Sequence, residues 1–518
     1  MKTLLHLVVY MLFHAVLSGQ NIMISNQSNP NEPAIMIDPK NPNVLIAGAN
    51  LNNYFISLDT GNTWTKHTLS STFGVWGDPV ISVDTAGNFY FFHLSNPSSG
   101  SFIDRIVCQK SSNKGQTWTN GSFTGLNGTK AQDKQWCAID RTNNKMYLTW
   151  TQFDKYASSD PTHKSVILFS KSSDNGTSWT APTKISIATG DCKDDDNTVE
   201  GAVPAVGPNG EIYVSWAGPN GIVFNKSSDQ GTTWLTNEIP VNPMPGGWNY
   251  AIPGIDRCNG LPITVCDLSN GPNRGTIYIN WSDQRNGTSN TDIWLAKSTD
   301  GGQTWANALK VNDDVSNKHQ FMSWMTIDQK SGYLYFVFYD RRNYSDNSTD
   351  VYVAVSMDGG NTFINRKISS SPFIPTNGIF FGDYTNIIAH NGIIRPIWTR
   401  LHSGQLSIWT DLTKLSSIVS TQENAQITNN NMDFENYPNP ADNFTYVSFK
   451  LHKESKVKLS VYSILGNEIH KVIVSEIRGY GKYVERINLK ELNIDSGNYL
   501  LKLEIDGQQQ LSKLIVIN

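Results

Sequence analysis

Seven segments of this 518-residue chain open on a polar, mostly acidic residue and run directly into an apolar stretch. They begin at Glu32 (EPAIMID), Asp78 (DPVISVD), Asp133 (DKQWCAID), Glu200 (EGAVPAV), Asp256 (DRCNGLPITV), His319 (HQFMSWMTID) and Asp383 (DYTNIIAH). If a fold gathers these heads, the carboxyls raise one another's pKa, and one can stay protonated beside an ionised partner. That is the pairing a general acid needs with a base or nucleophile, as in glycoside hydrolysis. Asp78, Glu200 and Asp383, with Tyr384 beside the last, are the candidate catalytic residues. The structural alternative is that each head caps its own strand by accepting backbone N–H groups.

A second set carries cations. Phe153-Asp154-Lys155, Ser282-Asp283-Gln284-Arg285 and Tyr339-Asp340-Arg341-Arg342 share a theme, and the last two run on into TDIW (Thr291–Trp294) and TDVY (Thr349–Tyr352). A planar guanidinium here can hold a substrate carboxylate through two parallel hydrogen bonds; the alternative is an Asp–Arg pair bracing a long loop. Arg257, Arg285, Asp340 and Arg341 are the candidates for substrate binding, together with Trp76, which can stack on a sugar ring. Trp136 and Trp248 lie in the same kind of inlet segment, with core packing an equal alternative for Trp136. The acidic run Asp191–Asn197 (DCKDDDN) offers oxygen ligands to calcium, but its lack of ordered ligand spacing favours a solvated loop. No other cofactor is expected.

A repeat must position these residues. Each head segment is followed by a Gly- or Asn-bearing turn and a second strand, among them Asn88–His93, Lys145–Trp150, Glu211–Trp216, Thr276–Trp281, Tyr333–Tyr339 and Gly392–Trp398. A third strand then enters the pattern Ser-x-Asp-x-Gly-x-Thr-Trp and a fourth leaves it. Six copies occur: Ser57–Trp64, Ser111–Trp118, Ser172–Trp179, Ser227–Trp234, Ser298–Trp305 and Ser356–Phe363. Their third residues, Asp59, Asn113, Asp174, Asp229, Asp300 and Asp358, can accept N–H groups of their own turn. The glycine supplies a positive φ, and the aromatic plugs a core. Four short strands per unit make one propeller blade. Seven units are expected, the last without the pattern and with Asn21–Asn26 as its outer strand; six is the alternative. No segment keeps a 3.6-residue apolar period, so little helix is expected.

The eight-residue pattern resembles the Asp-box, or bacterial neuraminidase repeat, of the sialidase-like β-propellers. The resemblance spans Asn21 to Leu415 and implies an all-β fold in which the boxes are staples on the face away from the active site. A sialidase would bring three arginines to the substrate carboxylate, a tyrosine nucleophile paired with a glutamate, and an aspartic acid/base. Glu200, Arg257, Arg341 and Tyr384 follow the family's order of Glu, second Arg, third Arg and Tyr. The Arg-Ile-Pro stretch of the first arginine is missing: Asn31-Glu32-Pro33 holds its place, and no arginine precedes Arg105. The expectation is an exported glycoside hydrolase acting on another glycan from the charged face. The alternative is a non-catalytic surface propeller that binds glycans or protein partners.

Ser416–Asp433 is polar and reads as a linker. Beyond it, Asn436–Pro440 (NYPNP) leads into alternating strands at Thr445–Leu451, Lys456–Tyr462, Glu485–Leu489, Tyr499–Ile505 and Leu511–Ile517, with turns at Leu465-Gly466-Asn467 and Ser496-Gly497-Asn498-Tyr499. Residues 434–518 thus read as a small β-sandwich. The YPNP start, VYSILGNEI (Val461–Ile469) and SGNYLLKLE (Ser496–Glu504) closely resemble the type A C-terminal sorting domain of the type IX secretion system. That implies a Gram-negative exporter, contact with its secretion machinery, and release or attachment at the outer surface. An ordinary adhesive sandwich is the alternative.

Composition agrees. Net charge is −4 with no long basic stripe, which argues against nucleic acid. Lys2, the apolar run Leu4–Leu17 and small Ser18 and Gly19 read as a signal peptide of residues 1–19, with Gln20 the mature start. That run is too short to span a membrane, and no later stretch is long enough. Of five cysteines, Cys258 and Cys266 close a short loop and are the easiest disulfide; metal-ligand spacing is absent.

Overall fold

The computed structural model describes residues 21–419, 434–463, 467–492, 494–506 and 508–516. The expected signal peptide, most of the linker and the Leu465-Gly466 turn lie outside the described residues. The chain forms two compact units that divide between Ser420 and Thr421.

The first unit contains seven four-stranded antiparallel sheets. Their innermost strands are Ala34–Ile37, Val80–Val83, Ala131–Ile139, Glu200–Val206, Ile263–Cys266, Gln320–Asp328 and Asn386–His390. Each innermost strand touches the next, and the last touches the first, so the sheets stand around one axis as a β-propeller. The N-terminal strand Asn21–Ser25 pairs with Gln405–Asp411 and forms the outer edge of the seventh sheet. Inner strands lie between neighbouring sheets and are buried on both faces. Hence Phe89–Leu94 (FYFFHL) is buried at every position and reads as a continuous apolar run.

The eight-residue turns tie neighbouring sheets together. In Ser298–Trp305, Ser298 Oγ donates to Asp300 Oδ1 at 2.7 Å and accepts the Gly302 N–H at 2.8 Å. Asp300 Oδ1 accepts the Thr304 N–H at 3.0 Å. Gly302 has φ +82°, and a Cβ there would sit 2.3 Å from Phe224 of the preceding sheet. Trp305 meets Phe224 edge-on at 5.2 Å, and Lys226 Nζ donates to the Gly301 carbonyl at 2.6 Å. The pattern therefore couples the fifth sheet to the fourth.

Two expectations change. The linker does not begin at Ser416: Leu415–Val419 is a five-residue helix whose Ile418 is buried in the propeller core. One apolar turn is too short to show a period in sequence. No disulfide joins Cys258 to Cys266, and all five cysteines are free thiols. Cys258 belongs to a hairpin, Asn249–Ile252 with Ile255–Asn259, that precedes the fifth sheet. Cys266 ends that sheet's inner strand and packs in a different core cluster.

The second unit pairs a three-stranded sheet (Phe434–Tyr437, Phe444–Leu451, Gly481–Asn488) with a four-stranded one (Glu468–Arg478, Ser455–Ser463, Gly497–Ile505, Gln508–Val516). Their alternating apolar residues, including Val447, Phe449, Leu459 and Leu501, share one core. No helix among the described residues is long and apolar enough to cross a membrane.

Candidate functional site

In each antiparallel meander, the start of the inner strand and the turn between the second and third strands lie at one end, and the eight-residue turns lie at the other. At the first end opens a cavity of about 510 Å³, with Glu32, Asp78, Asp133, Lys134, Arg257 and Asp383 in its wall and Trp76 at its rim.

Lys134 is its centre. Its buried Nζ lies 2.6 Å from Asp383 Oδ2, 3.5 Å from Asp78 Oδ2 and 4.0 Å from Glu32 Oε1. Arg257 reaches Asp383 Oδ2 at 3.0 Å through one nitrogen and Asp194 Oδ2 at 2.8 Å through the other. The Tyr156 hydroxyl donates to Asp194 at 2.7 Å. Glu32 accepts the Asp383 N–H at 3.0 Å, and Asn50 Nδ2 donates to its other oxygen. The Tyr384 hydroxyl stands 3.4 Å from Asp78 Oδ1. Asp383 Oδ1 and both Glu200 carboxyl oxygens are buried without a hydrogen-bond partner among the described residues.

Burial and charge separate these carboxyls into two states. Burial pushes Glu32, Asp133 and Glu200 well above the usual carboxylate range; Asp78 adds to the effect on Glu32, and Asp194 to that on Glu200. Burial also opposes ionisation of Asp78 and Asp383, but cations outweigh it. Lys134 holds Asp78 below its ordinary value, and Arg257 with Lys134 does the same for Asp383. Burial alone would strip the proton from Lys134, yet Asp383, Asp78 and Glu32 keep it bound to well above the usual lysine range. Carboxyls biased toward the protonated form therefore stand beside carboxyls biased toward the ionised form.

Local backbone aims these side chains. Glu32, Asp78 and Lys134 have φ of 51°, 48° and 50°, and Met322 has 49°. A non-glycine residue in this region costs about 1–3 kcal/mol and persists where surrounding structure enforces it. In the third, fourth and sixth sheets the inner pairing slips a register at this point, as at a bulge that re-aims a side chain. Counting six positions back from the residue closing each inner segment (Asp38, Asp84, Asp140, Gly207, Asp267, Asp328, His390) gives Glu32, Asp78, Lys134, Gly201, Leu261, Met322 and Tyr384. Aligning the segments on their acidic heads passes over Lys134; aligning them on the closing Asp finds it. Asp194 and Tyr156 come from loops distant in sequence; the acidic run singles out Asp194 for calcium rather than for this site, and no local pattern marks Tyr156.

Several expected site residues do not reach the cavity. Asp256 is exposed in the extra hairpin, where it accepts the Gly378 N–H at 2.7 Å. His319 lies against Thr291 Oγ1 at 3.0 Å, because the register slip puts Met322 at the axis instead. Glu200 is fully buried behind the wall. Tyr384 lines a second, enclosed space of about 20 Å³ that shares Lys134 and Asp383 with the first. There it meets Trp136 edge-on, and Trp136 in turn lies tilted against Trp324 with ring centroids 4.3 Å apart. Trp248 is buried and donates to the Thr198 carbonyl at 3.1 Å.

The Asp–Arg turns are braces. Arg285 binds Asp283 at 2.5 Å and lies over Trp294 at 4.4 Å. Asp340 pairs with Arg342 at 2.7 Å rather than with Arg341. Arg341 is buried, donating to Thr349 Oγ1 at 3.0 Å and the Pro253 carbonyl at 2.8 Å. Burial pulls its pKa down to about 10. The Asp191–Asn197 loop is engaged by protein rather than solvated: Asp191 accepts the Thr198 hydroxyl, Asp195 the Asn249 side-chain amide and Asp196 the Asn249 N–H, while Asp194 turns into the site. Among the described residues no group of three or more acidic, His or Cys side chains is arranged to hold a metal ion.

Residues 435–518 match the secretion system C-terminal sorting domain, which marks the protein as secreted or cell-surface. No curated protein matches the chain. Its fold is similar to that of a sialidase from Streptococcus pneumoniae (9% identity, 72% of this chain and 84% of that one, TM-score 0.43). It is likewise similar to an ulvan lyase (12%, 75% and 95%, TM-score 0.46) and to an α-L-arabinofuranosidase from Fusarium graminearum (13%, 78% and 99%, TM-score 0.42).

Proposed function

We propose that this protein is an exported glycoside hydrolase working from the acidic mouth of the propeller. One arrangement carries the reading: Glu32 and Asp133, whose burial favours the protonated form, line the same cavity as Asp78 and Asp383, which Lys134 and Arg257 favour in the ionised form. Glu32 or Asp133 would deliver a proton to the departing glycosidic oxygen. Asp383, held ionised by Arg257 and Lys134, would meet the charge that develops at the anomeric carbon. Trp76 offers the sugar a flat face. Tyr384 would position Asp78 rather than touch substrate. Residues 1–19 would direct the chain out of the cytoplasm and the tail would direct it across the outer membrane.

A second reading, a propeller that binds glycans without cleaving them, is favoured by the same ion pairs. An Asp383 gripped by two cations is a weaker nucleophile than a free carboxylate. Incubating the purified secreted protein with a panel of polysaccharides and aryl glycosides, across pH, separates the two. Release of reducing ends with a bell-shaped pH profile supports hydrolysis. Tight binding with no release at any pH supports the second reading, and neither binding nor release removes both.

A further inference from the structure

We infer that the mouth takes an uncharged sugar ring and discriminates against carboxylated sugars, an inference that rests on the glycan reading above. To grip a carboxylate, a protein offers a guanidinium with free N–H groups. Arg257 is the single arginine among the described residues lining the cavity, and both its terminal nitrogens already face carboxylates, Asp194 and Asp383. The other arginines of this end do not line the cavity: Arg285 pairs with Asp283 and Arg342 with Asp340, and Arg341 is buried away from it against Thr349 and the Pro253 carbonyl, its unpartnered Nη2 buried as well. Lys134 is shared among Asp383, Asp78 and Glu32. A substrate carboxylate would therefore find no free cation in the cavity lining and would approach Asp78 and Asp383, the two carboxyls there that the cations favour in ionised form.

Hydroxyl groups fit the same wall. Asp383 Oδ1 is buried and unpartnered, an acceptor that a sugar O–H can satisfy. The rim is apolar: Trp76, Leu51, Phe102 and Phe380 are 37%, 45%, 45% and 44% exposed. Phe102 meets Trp76 edge-on at 5.3 Å and holds the indole upright. Leu51 and Phe102 come from the same turn of the first and second sheets, and Phe380 leads into the seventh. The C–H face of a ring thus rests on that side while its hydroxyls turn toward the acids.

The test compares a neutral oligosaccharide with its C6-oxidised counterpart, which has the same stereochemistry and one carboxylate per ring. Binding by titration calorimetry and turnover are measured on the full secreted protein near neutral pH. The neutral ligand should win by about a hundredfold, as expected when like charges are brought together in a desolvated site. Trp76→Ala should weaken neutral-ligand binding by about tenfold, the loss of one ring-stacking contact, with an unchanged melting temperature. Equal or tighter binding or faster turnover of the oxidised ligand overturns this inference and leaves the glycosidase reading standing. No binding or cleavage of any glycan, neutral or acidic, overturns both.

Discussion

The two ends of the propeller use the same residue types to opposite purpose. At the turn end, Asp300 accepts from Ser298 Oγ and the Gln303 and Thr304 N–H groups, all within its own turn. Hydrogen bonds from Thr304 hold its carboxyl far below the ordinary range; at Asp174 the equivalent bonds from Ser178 bring it to about 2. Such a carboxylate is satisfied within its own turn at the surface and has little left to offer a substrate. At the mouth, Asp383 keeps a buried, unpartnered oxygen and takes its cations from elsewhere in the ring, and Glu200 behind the wall keeps two unpartnered oxygens. Repetition marks the first set, because each blade needs the same staple. Variation marks the second: Glu32, Asp78, Lys134, Gly201, Leu261, Met322 and Tyr384 occupy one position in seven sheets with five different chemistries. In a repeat fold, the place where the repeat breaks is the place to look for chemistry.

Substitutions at the two ends should therefore separate turnover from stability. The largest effect is expected at the mouth: Asp383→Asn keeps the shape but removes the charge facing the cavity, and kcat should fall by about two orders of magnitude or more. Steady-state kinetics beside a melting curve checks it; undiminished kcat in Asp383→Asn would move the chemistry elsewhere. Next comes the turn end. Gly302→Val meets both a positive φ and the Phe224 ring, at a cost of about 1 kcal/mol for the backbone and about 1–3 kcal/mol for overpacking. The melting temperature should drop while kcat/KM per folded molecule holds. Selective loss of activity in folded Gly302→Val would bring the turns into the site.

The third and fourth predictions turn on the sign of pH dependence. Glu200 has a folded pKa raised above its ordinary 4.5, so folding must neutralise it once the unfolded chain ionises. Its cost grows as pH rises from about 4.5 toward the raised value. Glu200→Gln removes that cost, so by urea denaturation the variant should be more stable than the parent at pH 8 and no different at pH 4. A variant less stable at pH 8 would mean that Glu200 is charged and partnered. Asp300 has the opposite sign: its folded pKa lies below 3.8, so its contribution is present above pH 3.8 and lost as pH falls through the folded value. Asp300→Asn should melt slightly lower than the parent at pH 7, with the gap closing in acid, and its turnover should match the parent's. This is the smallest effect of the four.

Local pattern alone determined the all-β character, the staples and the character of the tail. Those features depend on residues a few positions apart: Ser298, Asp300, Gly302 and Thr304 close a turn among themselves, and Val447 and Phe449 alternate along one strand. It also named five of the six ionisable groups described in the cavity wall, Asp78, Asp383, Arg257 and, as heads of their segments, the acids Glu32 and Asp133 beside them, while passing over Lys134. Only the tertiary structure decided that Lys134 sits among three carboxyls drawn from the first, second and seventh sheets. The same holds for Asp194, which meets Arg257 across the mouth, and for Arg341, which turns away to brace a loop. The reason is physical. A staple's free energy is settled within its own turn, whereas a charge's partner, burial and protonation depend on which sheets the ring closes around it, and ring closure joins residues hundreds of positions apart.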